Sequence, residues 1–210
     1  MENCINILKK YITEDELKFI IDGMKTFNTY DNFLIEYSIK YLYKDERHIT
    51  EKRILFGLNY RENDKDKYFK FMNIEPFDIK DLKNAIYFGY DKTNNLKKLY
   101  FEKLGFGGLC YEYKNNKFDN LKKYFLIKNI SNEIFSYMPE SLSNIIKNNY
   151  INILYFENKN MHVYQFQISY KLDYNEDFYC SIISVAFDYD YNIKYHTFYL
   201  RFKDKTLFLL

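Results

Sequence analysis

Tryptophan is absent from this 210-residue chain, and proline (two), cysteine (three), histidine (three) and glycine (six) are all scarce. With so few prolines and glycines, turns must rest on Asn and Asp, which tolerate left-handed backbone and bond to neighbouring amides. Cys4, Cys110 and Cys180 are far apart and odd in number. They form neither a disulfide framework nor a zinc-ligand spacing, and a reducing compartment is the simpler reading. His48, His162 and His196 share no ligand spacing, so no metal and no cofactor is expected. No long apolar run occurs, and Met-Glu-Asn-Cys lacks the basic-then-apolar order of a signal peptide. The expectation is a cytoplasmic chain that does not engage a membrane. Charge of one sign is lacking too: 31 Lys and Arg against 29 Asp and Glu give a net +2, well mixed along the sequence. That pattern argues against a nucleic-acid partner, whose surface would show a basic stripe. No Gly-x-Ser-x-Gly, His-Glu-x-x-His or kinase signature is present. Gly105-Phe-Gly-Gly108 lacks the Lys-Ser/Thr of a phosphate loop and reads as a turn.

What is abundant is apolar and aromatic: 47% hydrophobic residues, with 24 tyrosines and 20 phenylalanines. The excess of Tyr, Phe, Ile, Asn and Lys points to an AT-rich coding sequence, so any single Tyr, Lys or Asn carries less information. No Ser/Gly/Pro-rich linker or charge block divides the chain, and residues 1–210 are expected to form one domain.

The C-terminal quarter organises the rest. Residues 151–157 and 161–172 alternate apolar and polar across a turn at Lys159-Asn160, setting Ile151, Ile153 and Tyr155 opposite Ile168, Phe166 and Tyr164. Continuing the meander pairs Ile168 with Ile183, Phe166 with Val185 and Tyr164 with Phe187. The next strand sets Phe198 beside Ile183 and His196 beside Val185, and a last strand follows a turn at Asp204-Lys205. Upstream, Thr13-x-x-Glu16 is a capping-box pattern opening a helix at Glu14 that ends before Asn28, with Leu17, Ile20, Ile21 and Met24 on one face. A shorter helix is expected near residues 3–11. Period-two alternation predicts strands at 33–43, 53–60, 67–72, 85–91, 96–103, 109–114 and 121–128, with turns at 44–48 and 115–120 and a solvated loop at 61–66. Asp78 is positioned to cap a short helix reaching Lys83. Residues 131–149 read as a helix in two pieces, broken at Pro139, with Leu142, Ile145 and Ile146 on one face. Together these predict an α+β fold: an antiparallel, hairpin-rich curled sheet of about ten strands, as a partly closed barrel or two sheets. An N-terminal helix and a helix near 131–148 would cover it.

Candidate chemistry is sparse. His162, opposite Glu157, suits a rim salt bridge; His196 suits a core position; His48 falls in a turn. Cys180 is expected opposite Arg201, facing away from His196, which excludes a cysteine–histidine dyad. Tyr90-Asp91 followed by Lys97-Lys98-Leu99-Tyr100-Phe101 resembles a strand pair of the soluble aromatic prenyltransferases, over fewer than two strands. The resemblance implies an antiparallel αββα barrel in which Lys98 and Tyr100 share a face and bind a phosphate. The remaining signal is the non-apolar face of the C-terminal sheet. It carries Gln165, Gln167, Ser184, Thr197, Tyr199 and Arg201, with Gln167 expected opposite Ser184 and Val163 and Ile182 as apolar floor. Amide, hydroxyl and guanidinium groups on rigid strands, without a Lys/Glu lattice, suit a ligand or partner. The function expected is a binding or interaction protein with a protein or small-molecule partner: an inhibitor, an immunity-type protein or a small-ligand carrier. The alternative is an enzyme with its site inside the curled sheet, acting on a phosphate-containing substrate such as a prenyl diphosphate.

Overall fold

The computed structural model describes residues 6–28, 34–43, 45–78, 85–103 and 107–203. Ten antiparallel strands follow one another around a barrel: β1 Leu34–Leu42, β2 Asp45–Asn59, β3 Ala85–Asp91, β4 Leu96–Lys103, β5 Gly107–Lys114, β6 Lys117–Ile127, β7 Tyr150–Asn158, β8 Met161–Asp173, β9 Phe178–Asp188 and β10 Ile193–Phe202. Pairing of β1 with β10 closes the ring, so the expected curled α+β sheet takes its closed form. Accompanying it are the helices α1 Glu14–Phe27, α2 Lys65–Met72, α3 Asn132–Ser136 and α4 Glu140–Asn149. Among the described residues no helix is long and apolar enough to cross a membrane.

Helix α1 starts where its capping box dictates. The Thr13 hydroxyl accepts from the Glu16 amide at 3.3 Å while the Glu16 carboxylate accepts from the Thr13 amide at 2.8 Å. It ends on Asn28 in the left-handed conformation (φ 49°). Its buried face is Leu17, Ile20 and Phe27, with Ile21 and Met24 packed beside them. Gly23 lets the helix approach the barrel, because a Cβ there would stand 2.3 Å from the Phe56 ring. Phe27 stacks on Phe88 at 5.2 Å and Phe88 on Phe56 at 4.8 Å. The hydrophobic core thus lies outside the barrel, between helices and sheet, and contains Ile54, Phe56, Phe88, Leu99, Ile183, Val185 and Ile146. Asparagine supplies the left-handed turn positions Asn28, Asn73, Asn95, Asn115 and Asn116, as the shortage of glycine required.

Several sequence expectations need correction. Residues 67–72 are helical, not a strand: Tyr68, Phe69 and Met72 are the buried positions of α2, the i, i+1, i+4 pattern of a helix face. The loop at 61–66 tightens into a 3₁₀ turn, Glu62–Asp64, that leads into α2. Strand β2 begins at Asp45, so the expected turn at 44–48 is shorter and His48 is an exposed strand residue. Asn115 and Asn116, both at positive φ (52° and 61°), close β5 and β6 directly, replacing the longer turn at 115–120. Ile153 faces Phe166 and Tyr155 faces Tyr164 as expected, but a bulge sets Tyr150 opposite Ile168 and leaves Ile151 59% exposed. Between β8 and β9 the parity is right and the register is displaced by two: Phe166 faces Ile183, Tyr164 faces Val185 and Gln165, not Gln167, faces Ser184. A second bulge pairs Cys180 with Leu200 in place of Arg201. Pro139 is the cap residue of α4, and Ile145 points outward while Ile146 is fully buried. Of the expected helix at 3–11, residues 6–8 are helical and 1–5 lie outside the described residues. Also outside them lie the helix expected to reach Lys83, the loop residues Gly105 and Phe106, Cys4 and the strand after Asp204.

Candidate functional site

Because strand side chains alternate, each strand that turns apolar residues toward the helices turns its other residues into the barrel lumen. Those residues step from one end of the barrel to the other. Along β2 they are Glu51, Arg53 and Leu55; along β4, Lys98, Tyr100 and Glu102; along β6, Lys122, Tyr124 and Leu126; along β10, Thr197, Tyr199 and Arg201. Two cavities result. One, of about 360 Å³, opens at the end carrying the β3–β4 and β7–β8 turn residues Asn94 and Lys159. The other, of about 320 Å³, occupies the opposite end. Tyr100, Tyr124 and Tyr199 line both and form the layer between them.

The first cavity is cationic. Arg53, Lys98 and Lys122 are buried in it, with Lys40 nearer the rim. Two carboxylates answer them. Glu112 accepts from Lys98 at 2.8 Å and from Lys122 at 2.7 Å, and Asn120 donates to its other oxygen at 3.3 Å. Glu51 accepts from Arg53 at 3.0 Å and Lys40 at 3.4 Å and lies 3.6 Å from Lys98. Lys114, Lys159 and Asp119 also line the cavity, so six cations against three carboxylates leave an excess of three positive charges. Burial alone would raise the Glu112 carboxyl, but Lys98 and Lys122 outweigh it and bring it down to about 2. Glu51 is likewise held well below the usual carboxylate range: burial opposes this, and Lys98, Arg53 and Lys40 prevail. Burial and the neighbouring Lys98 charge lower the Lys122 ammonium to about 8, with Glu112 opposing them. Arg53 is 5% exposed, and its Nε has no hydrogen-bond partner. A Cβ at Gly89 would make an ordinary contact with the Arg53 Cδ at 3.4 Å and a slightly tight one with the Lys98 Cβ at 3.3 Å. Burial pushes up the phenols of Tyr100, Tyr124 and Tyr199, which keeps them protonated and able to donate.

The residues singled out from sequence all reach this lumen. Ser184, Thr197 and Tyr199 line the cationic cavity together with Lys98 and Tyr100; Gln165, Gln167, Tyr199 and Arg201 line the second. Gln165 donates to the Tyr199 hydroxyl at 3.0 Å, and Arg201 is tied to Glu36 at 3.2 Å. Sequence reasoning missed Lys40, Glu51, Arg53, Glu112 and Lys122. Lys40, Arg53 and Glu112 each adjoin a buried apolar residue (Ile39, Ile54 and Tyr113), a parity that a solvated outer face explains equally well until the sheet closes; Glu51 and Lys122 adjoin none and carry no such signal.

The other candidates stay apart. His196 is buried on the outer face, stacked on Tyr41 at 5.4 Å. His162 bonds to the Tyr155 hydroxyl at 2.8 Å and lies 3.9 Å from Glu157. Cys180 joins the outer core, where burial pushes its thiol up to about 12. Among the described residues no cluster of His, Cys, Asp or Glu suits a metal ion. The chain matches no protein-family model and no curated protein by sequence.

Proposed function

We propose that the chain is a small-molecule-binding barrel whose cationic cavity takes an anionic, phosphate-bearing ligand. One observation carries this reading: the buried guanidinium of Arg53 lines, together with Lys40, Lys98 and Lys122, a cavity whose cations outnumber its carboxylates. A guanidinium bonds phosphate with two parallel N–H groups, and Lys98, Lys122 and Lys40 surround the same space. The cavity also weighs for a small ligand over an inhibitor or immunity-type protein partner, which would need an exposed complementary face. Its volume lies in the ordinary range for ligand pockets.

Titration calorimetry with inorganic pyrophosphate at low salt tests the proposal. Binding is expected, weakening as salt rises. Arg53→Gln should weaken it by about 1.5–3 kcal/mol, tenfold or more, because a charge-assisted bond to the anion is lost. No heat and no thermal stabilisation with pyrophosphate would overturn it. A second reading rests on Lys98 and Tyr100 lining that cavity together: an enzyme that cleaves a phosphate-containing substrate such as a prenyl diphosphate. Hydrolysis of dimethylallyl diphosphate by water to dimethylallyl alcohol and pyrophosphate, absent in Arg53→Gln, would favour it.

A further inference from the structure

We infer that the second cavity is a separate subsite for an uncharged, mainly apolar small molecule, bound independently of the anion. The partition is physical: Tyr100, Tyr124 and Tyr199 line both cavities, and no cation of the first cavity lines the second. Beyond that layer the wall turns aliphatic, with Leu55, Leu126, Leu154 and Ile182. The single cation lining it among the described residues, Arg201, is neutralised by Glu36 at 3.2 Å, and a second carboxylate, Glu102, accepts from the Tyr87 hydroxyl at 3.0 Å at the exposed rim, so an anion gains little. Two amides supply orientation. Gln165 spends an N–H on Tyr199 and Gln167 accepts from Asn152 at 3.2 Å. Among the described residues this leaves a glutamine carbonyl and a glutamine NH₂ for the ligand. An apolar body with one donor or acceptor therefore fits, and an anion would lose hydration without a partner.

The inference rests on the lumen being a ligand site, and the test separates it from the anion proposal. N-phenyl-1-naphthylamine, an uncharged fluorescent probe, should bind the protein with enhanced emission, and saturating pyrophosphate should leave it bound. Ile182→Asn should weaken the probe at least about tenfold. Leu126→Arg at the exposed mouth, where folding is not at stake, should do the same. Probe affinity indifferent to both variants overturns the subsite, because the probe then sits on the outer surface. Displacement of the probe by pyrophosphate overturns the partition. Pyrophosphate binding without probe binding refutes the apolar subsite and leaves the anion proposal standing; the converse refutes the anion proposal alone.

Discussion

Replacing Glu112 with glutamine keeps the shape of the side chain and removes one negative charge from beneath two ammonium groups. Lys98 and Lys122 stand 2.8 and 2.7 Å from the same Glu112 oxygen, and all three residues are at most 7% exposed. Glutamine can accept a hydrogen bond from one of them but cannot offset either charge. Leaving a buried charge without its partner costs about 3–5 kcal/mol, a fall in Tm on the order of 6–20 °C for a chain of this size. The Lys122 ammonium sits near 8 even with Glu112 present, so without it the proton leaves at lower pH still. The loss should therefore be larger near about pH 6 than near about pH 9, where Lys122 is neutral and the strain is relieved. The surplus of positive charge also grows, so pyrophosphate should raise the Tm of Glu112→Gln by more than it raises that of the unaltered protein. Scanning calorimetry at both pH values, with and without pyrophosphate, reads all three effects. Equal stability of the two proteins near pH 6 would refute the reasoning, because the triad would then be solvated rather than buried.

The remaining predictions concern packing and pH. Ile20→Ala and Ile146→Ala, at 1% and 0% exposure, should each cost about 2–5 kcal/mol in urea unfolding, whereas Ile145→Ala, at 36%, should stay within about 0.5 kcal/mol. Equal losses for Ile145 and Ile146 would mean that α4 is rotated on the barrel. Pyrophosphate affinity should fall as pH rises through about 8, since Lys122 then loses its charge. Over the same range stability without ligand should rise toward pH 10.5, because the unfolded chain binds the proton that the folded one has shed. Acid should act through Glu112: its carboxyl titrates near 2 when folded against 4.5 as reference, so its stabilisation is complete above 4.5 and is lost as pH falls toward 2. Acid titration followed by circular dichroism checks that window, and a Glu112→Gln profile identical to the unaltered one would count against it.

Much of the barrel wall could be read from residue order, because alternation fixes parity. Ile153 against Phe166 and Phe198 against Ile183 follow from which residues are apolar. Register between β8 and β9 did not follow. A bulge takes up residues 168–171 of β8 between the pairs Gln167–Ile182 and Leu172–Cys180, and a displacement of two leaves the apolar pattern intact. The α2 segment misled for a related reason: Tyr68, Phe69, Phe71 and Met72 satisfy either period, and the decisive fact is their burial against α1 and the sheet. The site was half legible. Gln165, Gln167, Ser184, Thr197, Tyr199 and Arg201 stood out as a polar face free of a charge lattice. The cationic half, Arg53 with Lys98 and Lys122, comes from three strands far apart in sequence. Only closure of the ring brings them together, and no local pattern specifies closure.

Closure also explains why a lumen exists at all. A barrel of about eight strands is just wide enough for its own inward side chains to fill, and the interior widens with each added strand. With ten strands and most of its apolar residues committed to the helices outside, this chain has space left at both ends of the tyrosine layer. The most stable use of that space would be well-packed hydrophobic side chains, since replacing a buried ion-pair cluster in this way is often neutral or stabilising. Instead the lumen holds Arg53, Lys98, Lys122, Glu51 and Glu112. A buried polar arrangement that lowers stability is the signature expected of a binding site, where local rules of folding yield to function. The unbonded Nε of Arg53 is where that argument is sharpest, because a buried donor left without an acceptor costs stability that a packed apolar side chain would not.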